Sequence, residues 1–270
     1  MNQPPSVRLS VNLNKIALIR NARDAGGAPD LMEMARICIQ SGAQGITLHP
    51  RPDGRHILPE DVVKLQNLLQ SMPPAELNIE GNPFSGPEES YPGFIQLIHE
   101  APPHQCTLVP DGRDQLTSDH GWDMDGNTGP LRSVISDLKK LGCRVSLFIN
   151  PHPRYAEQAA QIGADSIELF TGPWHRLWLQ HQTGKISEYE LHQGFEDYYK
   201  TAQVAADAKL QVNAGHDLNL KNIGLIATLP GLAEVSIGQA LIVDALQNGL
   251  QQTIRLYLEA LQKSATAALL

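Results

Sequence analysis

The residues best suited to chemistry stand at or just after the ends of predicted β-strands. The segment Thr47–His56 contains His49, Arg51 and His56, and Glu80 closes the next apolar run along the chain. Histidine transfers protons near neutral pH, and arginine holds a phosphate or a carboxylate through paired hydrogen bonds. A glutamate at a strand end can accept or donate a proton in the same site. These residue types predict proton transfer on a negatively charged substrate.

A second group of candidates follows the last two predicted strands. Asn213–Asp217 is a glycine turn in which His216 comes directly after Gly215, and Gly238 leads straight into a predicted helix. In barrel proteins, the loops after strands seven and eight commonly bind phosphate together with a helix N-terminus. The two glycine turns, in this order, therefore predict a phosphate site.

Each candidate also has a structural interpretation. Thr47–His56 could be a solvated loop that turns at Asp53-Gly54, and Glu80 could pair with a structural arginine. Lys15, near the end of the first predicted strand, is a rival nucleophile that could form a Schiff base with a ketose phosphate. The histidines do not have the spacing of a metal site, so we expect no metal.

The elements that must position these residues are short β-rich runs alternating with helical patterns. This alternation favours the α/β class, and eight such units predict a (β/α)8 TIM barrel with a few additional helices, as one domain over residues 1–270. Two long connections, Pro110–Gly129 and Gly172–Glu188, are predicted to be functional or subunit-contact loops. The predicted strands are Arg8–Leu13, Gly45–His49, Glu76–Glu80, Gln105–Val109, Arg144–Ile149, Ser166–Phe170, Gln211–Asn213 and Glu234–Ile237. The predicted helices are Asp30–Gln40, Glu60–Gln70, Gly93–Glu100, Leu131–Lys140, Arg154–Gln161, Tyr189–Ala208, Lys221–Ala227 and Ala240–Leu261.

Composition excludes several classes of protein. The chain of 270 residues carries a net charge of −8 and has no Lys/Arg block, so we expect no nucleic-acid partner. We expect no membrane span, because no long apolar run is present, and no signal peptide in Met1–Ser6. Cys38, Cys106 and Cys143 lack any C-x-x-C pair and are predicted to be buried thiols. That pattern favours a cytoplasmic protein.

The same residues resemble the pyridoxine 5'-phosphate synthase family, and the match runs through most of the chain. It rests on many ordered segments, which together are far more specific than any one motif. The segments are Val11–Ala17, Arg20–Arg23, Gly45–Arg51, Arg55–Ile57, Leu77–Glu80, Cys106–Pro110, Val145–Ile149, Glu168–Gly172, Val212–His216 and Ile237-Gly238.

The resemblance implies condensation of 3-amino-2-oxopropyl phosphate with 1-deoxy-D-xylulose 5-phosphate. The products would be pyridoxine 5'-phosphate, inorganic phosphate and water, with no redox cofactor. The family pattern makes His49 and Glu80 proton acceptors and His216 the proton donor. It assigns the pentulose phosphate to Arg51, His56 and Thr117, and the amino-ketone phosphate to Asn12, Arg23, Asp217 (through its backbone), Gly238 and Gln239. Glu168 is also expected among the substrate contacts, and the family's assembly implies a homo-oligomer, an octamer.

The chain departs from the common family pattern at three places. Asn14-Lys15 replaces a frequent Asp-His pair that touches the pentulose phosphate, Gln239 replaces a histidine, and Trp174–Glu188 is longer than usual. Asn14 and Lys15 are therefore expected to contact the substrate in a changed way, with Lys15 as the hydrogen-bond donor. Two alternatives stay open: an aldolase-like lyase acting through Lys15, and an idle barrel that only binds a sugar phosphate.

Overall fold

Eight parallel strands close into a barrel. The computed structural model describes residues 7–23, 27–113 and 115–267, so Met1–Ser6, where no signal peptide is expected, lies outside the described part. Each strand pairs with the next in chain order and β8 pairs with β1, which confirms the predicted (β/α)8 barrel. The strands are β1 (Arg8–Asn12), β2 (Gly45–Leu48), β3 (Glu76–Gly81), β4 (Gln105–Leu108), β5 (Arg144–Ile149), β6 (Ser166–Phe170), β7 (Gln211–Gly215) and β8 (Leu232–Ile237).

The helices follow the predicted alternation, with three corrections. They are α1 (Asn14–Asn21), α2 (Leu31–Gln40), α3 (Pro59–Gln70), α4 (Phe94–Glu100), α5 (Gly129–Lys140), α6 (Pro153–Gln161), α7 (Gly172–Gln182), α8 (Glu188–Asp207), α9 (Ile223–Ile226), α10 (Gln239–Asn248) and α11 (Leu250–Ala267). The prediction of one helix over Ala240–Leu261 is wrong. The chain breaks at Gly249, which takes a φ of +76°. Glycine adopts this left-handed conformation without a steric penalty, so α10 ends before Gly249 and α11 begins after it.

The other two corrections are helices that the sequence analysis missed. The residues directly after β1 form α1 rather than a loop. The connection Gly172–Glu188 is mostly α7, not a long loop. Trp174 anchors α7 by packing on Phe195 of α8, with ring centroids 5.6 Å apart, and its indole N–H donates to the carbonyl of Asn222 at 2.8 Å. The connection Pro110–Gly129, in contrast, contains no helix or strand in its described residues before α5 begins, as predicted.

Strand residues alternate between an apolar outer face and a polar inner face. Leu9, Ile46 and Leu77 belong to the core between strands and helices, where they are fully buried. Inside the barrel, Ser10 and Thr47 share a hydrogen bond of 2.7 Å, and neighbouring polar side chains continue this layer. Because side chains of a strand point alternately to its two faces, this pattern follows directly from the period of two in the sequence.

Two of the predicted features can be compared directly with the fold. Cys38, Cys106 and Cys143 are buried free thiols, as predicted. Across the described residues, no helix combines the length and apolar character needed to cross a membrane.

The amino-terminal end of the barrel holds a cluster of charged side chains, of which Glu234 is buried and Arg8, Glu76 and Arg144 are partly exposed. Arg8 contacts Glu76 at 3.0 Å and Glu234 at 3.4 Å, and Arg144 contacts Glu76 at 2.6 Å. Burial raises the pKa of Glu234 to about 7, although Arg8 and Arg144 oppose the shift. The two arginines therefore only partly compensate the removal of this carboxylate from water.

We predict that Glu234→Gln changes how stability depends on pH. The folded pKa of about 7 lies above the ordinary value of 4.5, so the folded protein keeps a proton that the unfolded chain releases. Stability is thus lost as the pH rises from about 4.5 to 7. The free energy of unfolding of the variant, relative to wild type, should rise by about 2 kcal/mol between pH 5 and pH 8, measured by urea denaturation. Glu196→Gln, an exposed change on α8, should give no such trend, and an equal trend in both variants would contradict the prediction.

Candidate active site

A cavity of about 910 Å³ opens at the carboxyl ends of the strands. Residues from both the early and the late strands line it, so the chain brings together segments that are far apart in sequence. All the predicted site residues except Arg23 line this cavity. They are Asn12, Asn14, Lys15, His49, Arg51, His56, Glu80, Thr117, Glu168, His216, Asp217, Gly238 and Gln239.

His49, directly after β2, lies between two carboxylates. Its Nδ1 is 3.5 Å from Glu80 Oε2 on β3, and its Nε2 is 3.6 Å from Asp111 Oδ2 in the loop after β4. All three side chains are buried. A proton on either ring nitrogen of His49 therefore faces a carboxylate. His49, Glu80 and Asp111 can together accept, hold and return protons within one small volume.

Asn12 and Asn14 support the end of this strand pair. The Asn14 side-chain oxygen accepts a hydrogen bond from the backbone N–H of His49 at 2.9 Å. Asn12 in turn accepts from the backbone N–H of Asn14 at 3.0 Å. These bonds link β1 to β2 at the point where the catalytic candidates begin, so each asparagine side-chain oxygen fixes backbone inside the cavity wall.

One wall of the cavity is strongly cationic. Lys15, Arg51, Arg55 and His56 line it side by side. Burial, followed by the charges of Arg55 and Arg51, lowers the pKa of Lys15. Burial and then Arg55 lower the pKa of His56 to about 4, so this imidazole is neutral near pH 7. Its Nε2 accepts a hydrogen bond from Arg55 Nε at 3.3 Å. Such a wall suits a dianionic phosphate.

A second wall carries His216 in a strained turn. His216 and Asp217 have φ values of +83° and +57°, and the Thr171 hydroxyl donates to the carbonyl of Gly215 at 2.7 Å and to that of His216. His216 Nε2 shares a hydrogen bond of 2.9 Å with Thr117 Oγ1. The contact between His216 Nδ1 and Asp217 Oδ2, at 3.1 Å, lowers the pKa of the Asp217 carboxyl. Left-handed backbone in two successive non-glycine residues is typical of functional sites.

Glu168 forms the floor of the cavity. It is buried on β6, and burial, together with the charges of Glu80 and Glu234, raises its pKa well above the ordinary value. The Thr107 hydroxyl is 3.5 Å from its carboxyl group. A carboxyl group that keeps its proton can donate a hydrogen bond where a carboxylate would repel an anionic substrate.

The start of α10 offers backbone donors on the same side as His216. Ser236, Gly238 and Gln239 line the cavity where β8 ends and the helix begins. A Cβ on Gly238 would lie 3.3 Å from Asn12, so a side chain there would narrow the site. A helix N-terminus with a glycine approach is well suited to bind a phosphate group.

The set of residues that form the site differs in part from the predicted set. Arg23 is exposed beyond the end of α1 and does not line the cavity. Asp111, Arg55 and Ser118 do belong to the site, although the sequence analysis did not select them. Asp111 follows β4 by three positions, and the strand-end criterion that selected His49 could have found it. Among the described residues, no group of three or more metal-binding side chains could hold a metal ion.

Comparison with known proteins agrees with this description. The barrel and its polar cavity define a (β/α)8-barrel enzyme. Residues 9–263 match the family model described as pyridoxal phosphate biosynthesis protein PdxJ, and the chain belongs to that family. A relative from Xylella fastidiosa (strain M23), named pyridoxine 5'-phosphate synthase, is 48% identical over 94% of this chain and 94% of its own. A relative of the same name from Xanthomonas axonopodis pv. citri (strain 306) is 46% identical over 97% of this chain and 100% of its own.

Solved structures support the fold alone. Phosphoribosyl anthranilate isomerase from Thermus thermophilus superposes with a TM-score of 0.52 at 12% identity, covering 95% of this chain and 99% of that one. A 4-hydroxy-2-oxoglutarate aldolase gives a TM-score of 0.55 at 14% identity, with 95% of both chains covered. These likenesses confirm the barrel architecture.

We predict that Gly215→Ala destabilises the protein by crowding the floor of the cavity. A Cβ at this position would overlap Glu168 Oε1, which is buried and has little room to move. The free energy of unfolding should fall by about 1–3 kcal/mol in urea denaturation. In a Glu168→Ala background the same change should cost much less, because the clashing group is gone. Gly86→Ala, whose Cβ would meet nothing within 4 Å, is the matched control. An equal cost in both backgrounds would contradict the proposed clash.

Proposed function

We propose that this chain condenses 3-amino-2-oxopropyl phosphate with 1-deoxy-D-xylulose 5-phosphate to give pyridoxine 5'-phosphate, inorganic phosphate and water. The observation that carries this proposal is the family match over residues 9–263, together with His49, Glu80 and His216 facing one cavity. The reaction is a series of imine formation, enolisation, elimination and dehydration steps, all of which move protons. Several acid–base groups around one cavity can serve these steps in turn.

His49 and Glu80 are the proposed proton acceptors, and His216 is the proposed proton donor. The separation of His49 and Glu80, 3.5 Å, allows a proton taken by one to be shared with the other. His216 acts from the second wall, and the Thr117 hydroxyl shares a hydrogen bond with its Nε2. Bases and an acid at separate places around one cavity allow a substrate held between them to lose a proton at one atom and gain one at another.

The two phosphate groups are assigned to the two walls. Arg51, His56, Thr117 and Lys15 would hold the pentulose phosphate on the cationic wall, with Asn14 fixing the backbone of His49 beside them. Asn12, Asp217 (through its backbone), Gly238 and Gln239 would hold the amino-ketone phosphate near the start of α10. Glu168, with its raised pKa, would donate a hydrogen bond from the floor. This arrangement would set the two reacting ketones between His49 and His216.

Arg23 cannot fill its proposed role from the cavity of its own chain, because it is exposed and does not line that cavity. Its contact with the amino-ketone phosphate would therefore require a second copy of the chain. Exposed apolar side chains on α1 and α10, such as Ile19 and Leu246, are consistent with such a contact. We accordingly propose a homo-oligomer of single-domain subunits, an octamer as the family resemblance implies. We also propose that the protein is cytoplasmic.

Glu80→Gln should strongly slow the formation of pyridoxine 5'-phosphate, because the amide keeps the shape but cannot accept a proton. We expect a fall in kcat of about 10²–10⁴-fold, measured by mass spectrometry of the product from the two purified substrates. Glu196→Gln serves as the control and should keep wild-type turnover. Product formation by Glu80→Gln at the wild-type rate would exclude Glu80 as the base. Folded wild-type protein that makes no product from intact substrates would reject the proposed reaction.

Lys15→Ala should raise the KM for 1-deoxy-D-xylulose 5-phosphate by about 10-fold and change kcat less, since a charge-assisted hydrogen bond to phosphate is lost. Lys64→Ala, an exposed change on α3, is the control. An unchanged KM would exclude Lys15 as a phosphate ligand. Borohydride trapping of the pentulose phosphate on Lys15 would instead favour the aldolase-like alternative, in which this lysine is the nucleophile.

A further inference from the structure

Asp111 differs from the other described acidic residues of its loop because it is buried. It lies between β4 and α5 and is 6% exposed, whereas Asp119, Asp123 and Asp125 in the same loop are exposed. Its backbone carbonyl accepts a hydrogen bond from the side chain of Asn82 at 3.0 Å. A buried carboxylate is unfavourable unless cations or donors compensate it, so its partners indicate why it is there.

One oxygen of Asp111 makes all the polar contacts of the carboxyl group. Oδ2 is 3.2 Å from Arg51 Nη2 and 3.6 Å from His49 Nε2, and it accepts a hydrogen bond from the Ser118 hydroxyl at 2.8 Å. Oδ1 has no hydrogen-bond partner among the described residues. The carboxylate is therefore directed at the proposed base and the proposed phosphate ligand at once.

Arg51 is a buried cation that needs a negative charge nearby. Asp111 supplies one such charge, and the substrate phosphate would supply a second. Arg51 is 7% exposed and shares its wall with Lys15 and Arg55, so the wall is rich in positive charge. A phosphate that binds Arg51 brings its own negative charge close to Asp111. Since like charges repel across a short distance in a poorly solvated site, Asp111 must weaken phosphate binding while it orders Arg51.

We propose that Asp111 is a positioning residue for the reaction. Its carboxylate orients Arg51 and the Nε2 side of His49, and it lowers the affinity of the cationic wall for phosphate. This proposal rests on the roles proposed above for His49 and Arg51. The proposal predicts that removing the charge of Asp111 lowers kcat but raises the affinity for phosphate. A residue that only anchored the loop would lower both when it is changed.

The test uses Asp111→Asn in the full-length protein. The amide keeps an oxygen that can accept from Ser118 but loses the charge. We expect inorganic phosphate to bind about 3- to 10-fold more tightly by calorimetry, because one repulsive charge is removed. In the same variant kcat should fall by about 10- to 100-fold, because His49 and Arg51 lose their common partner. In an Arg51→Gln background, Asp111→Asn should tighten phosphate binding less, because the phosphate has lost the cation that holds it next to Asp111.

Three further variants separate charge from structure. Ser118→Ala removes the hydrogen bond that holds Asp111 but keeps its charge, so it should lower kcat by less than Asp111→Asn does and should not tighten phosphate binding. Asp119→Asn changes an exposed acid of the same loop and should keep both kcat and phosphate affinity near wild type. Asp111→Glu keeps the charge, so it should hold phosphate affinity near wild type and recover part of kcat. Asp111→Glu also tests the charge if Asp111→Asn fails to fold.

Unchanged or weaker phosphate binding by Asp111→Asn would overturn the proposal, and so would full retention of kcat. Loss of activity in Ser118→Ala equal to that in Asp111→Asn would reduce Asp111 to a loop anchor. If Asp111→Asn does not fold, tighter phosphate binding by Asp111→Glu would overturn the proposal. Wild-type protein that makes no pyridoxine 5'-phosphate would reject the proposed function separately, and the phosphate titrations would still decide whether Asp111 opposes anion binding at Arg51.

Discussion

The inner face of the barrel is largely polar between its base and the cavity. The apolar packing that stabilises the fold must therefore lie outside the strands. Ser10, Thr47, Asn78 and Thr107 occupy positions that branched apolar side chains fill in many barrels. Hydrophobic stabilisation must then come from the layer between strands and helices, where Leu9 and its neighbours are fully buried. Some of these polar groups bond to one another across neighbouring strands, as Ser10 does to Thr47 and Thr107 to Asn78, whereas Ser146 Oγ, Ser166 Oγ and Asn213 Oδ1 have no hydrogen-bond partner among the described residues.

The same interior controls the charge of the active site from below. Glu80, Glu168 and Glu234 lie along one path from the cavity to the base, and the charges of Glu80 and Glu234 add to burial in raising the pKa of Glu168. A carboxyl group that keeps its proton between two other acids leaves the cations above it free to attract phosphate. The base of the barrel, with Arg8 and Arg144 around Glu76 and Glu234, therefore influences the floor of the site without touching it.

The strands and their ends could be predicted from the sequence, because their hydrophobic pattern repeats over a few residues. Features that depend on contacts between distant segments could not be predicted in this way. The alternation of strand and helix patterns predicted β1 to β8. It also predicted which residues lie at the site, because the carboxyl ends of all parallel strands in a barrel lie at the same end of it. α7 was missed because its stability comes from Trp174 packing on α8 rather than from a regular apolar stripe. Asp111 follows a strand end, as His49 does, but its burial between β4 and α5 becomes visible only in the fold. Arg23 fitted the family pattern, but one chain alone does not bring it to the cavity.

The loop after β4 connects the two halves of the site. Through Asp111 it contacts His49 and Arg51 on the β2 side, and through Thr117 it shares a hydrogen bond with His216 on the β7 side. The proposed base and the proposed acid are thus both held by one segment, although 99 residues separate Thr117 from His216 in sequence. Any shift of this segment changes the surroundings of both histidines together. Proton acceptance and proton donation are therefore coupled through the geometry of one loop, which suits a reaction that needs them in alternation.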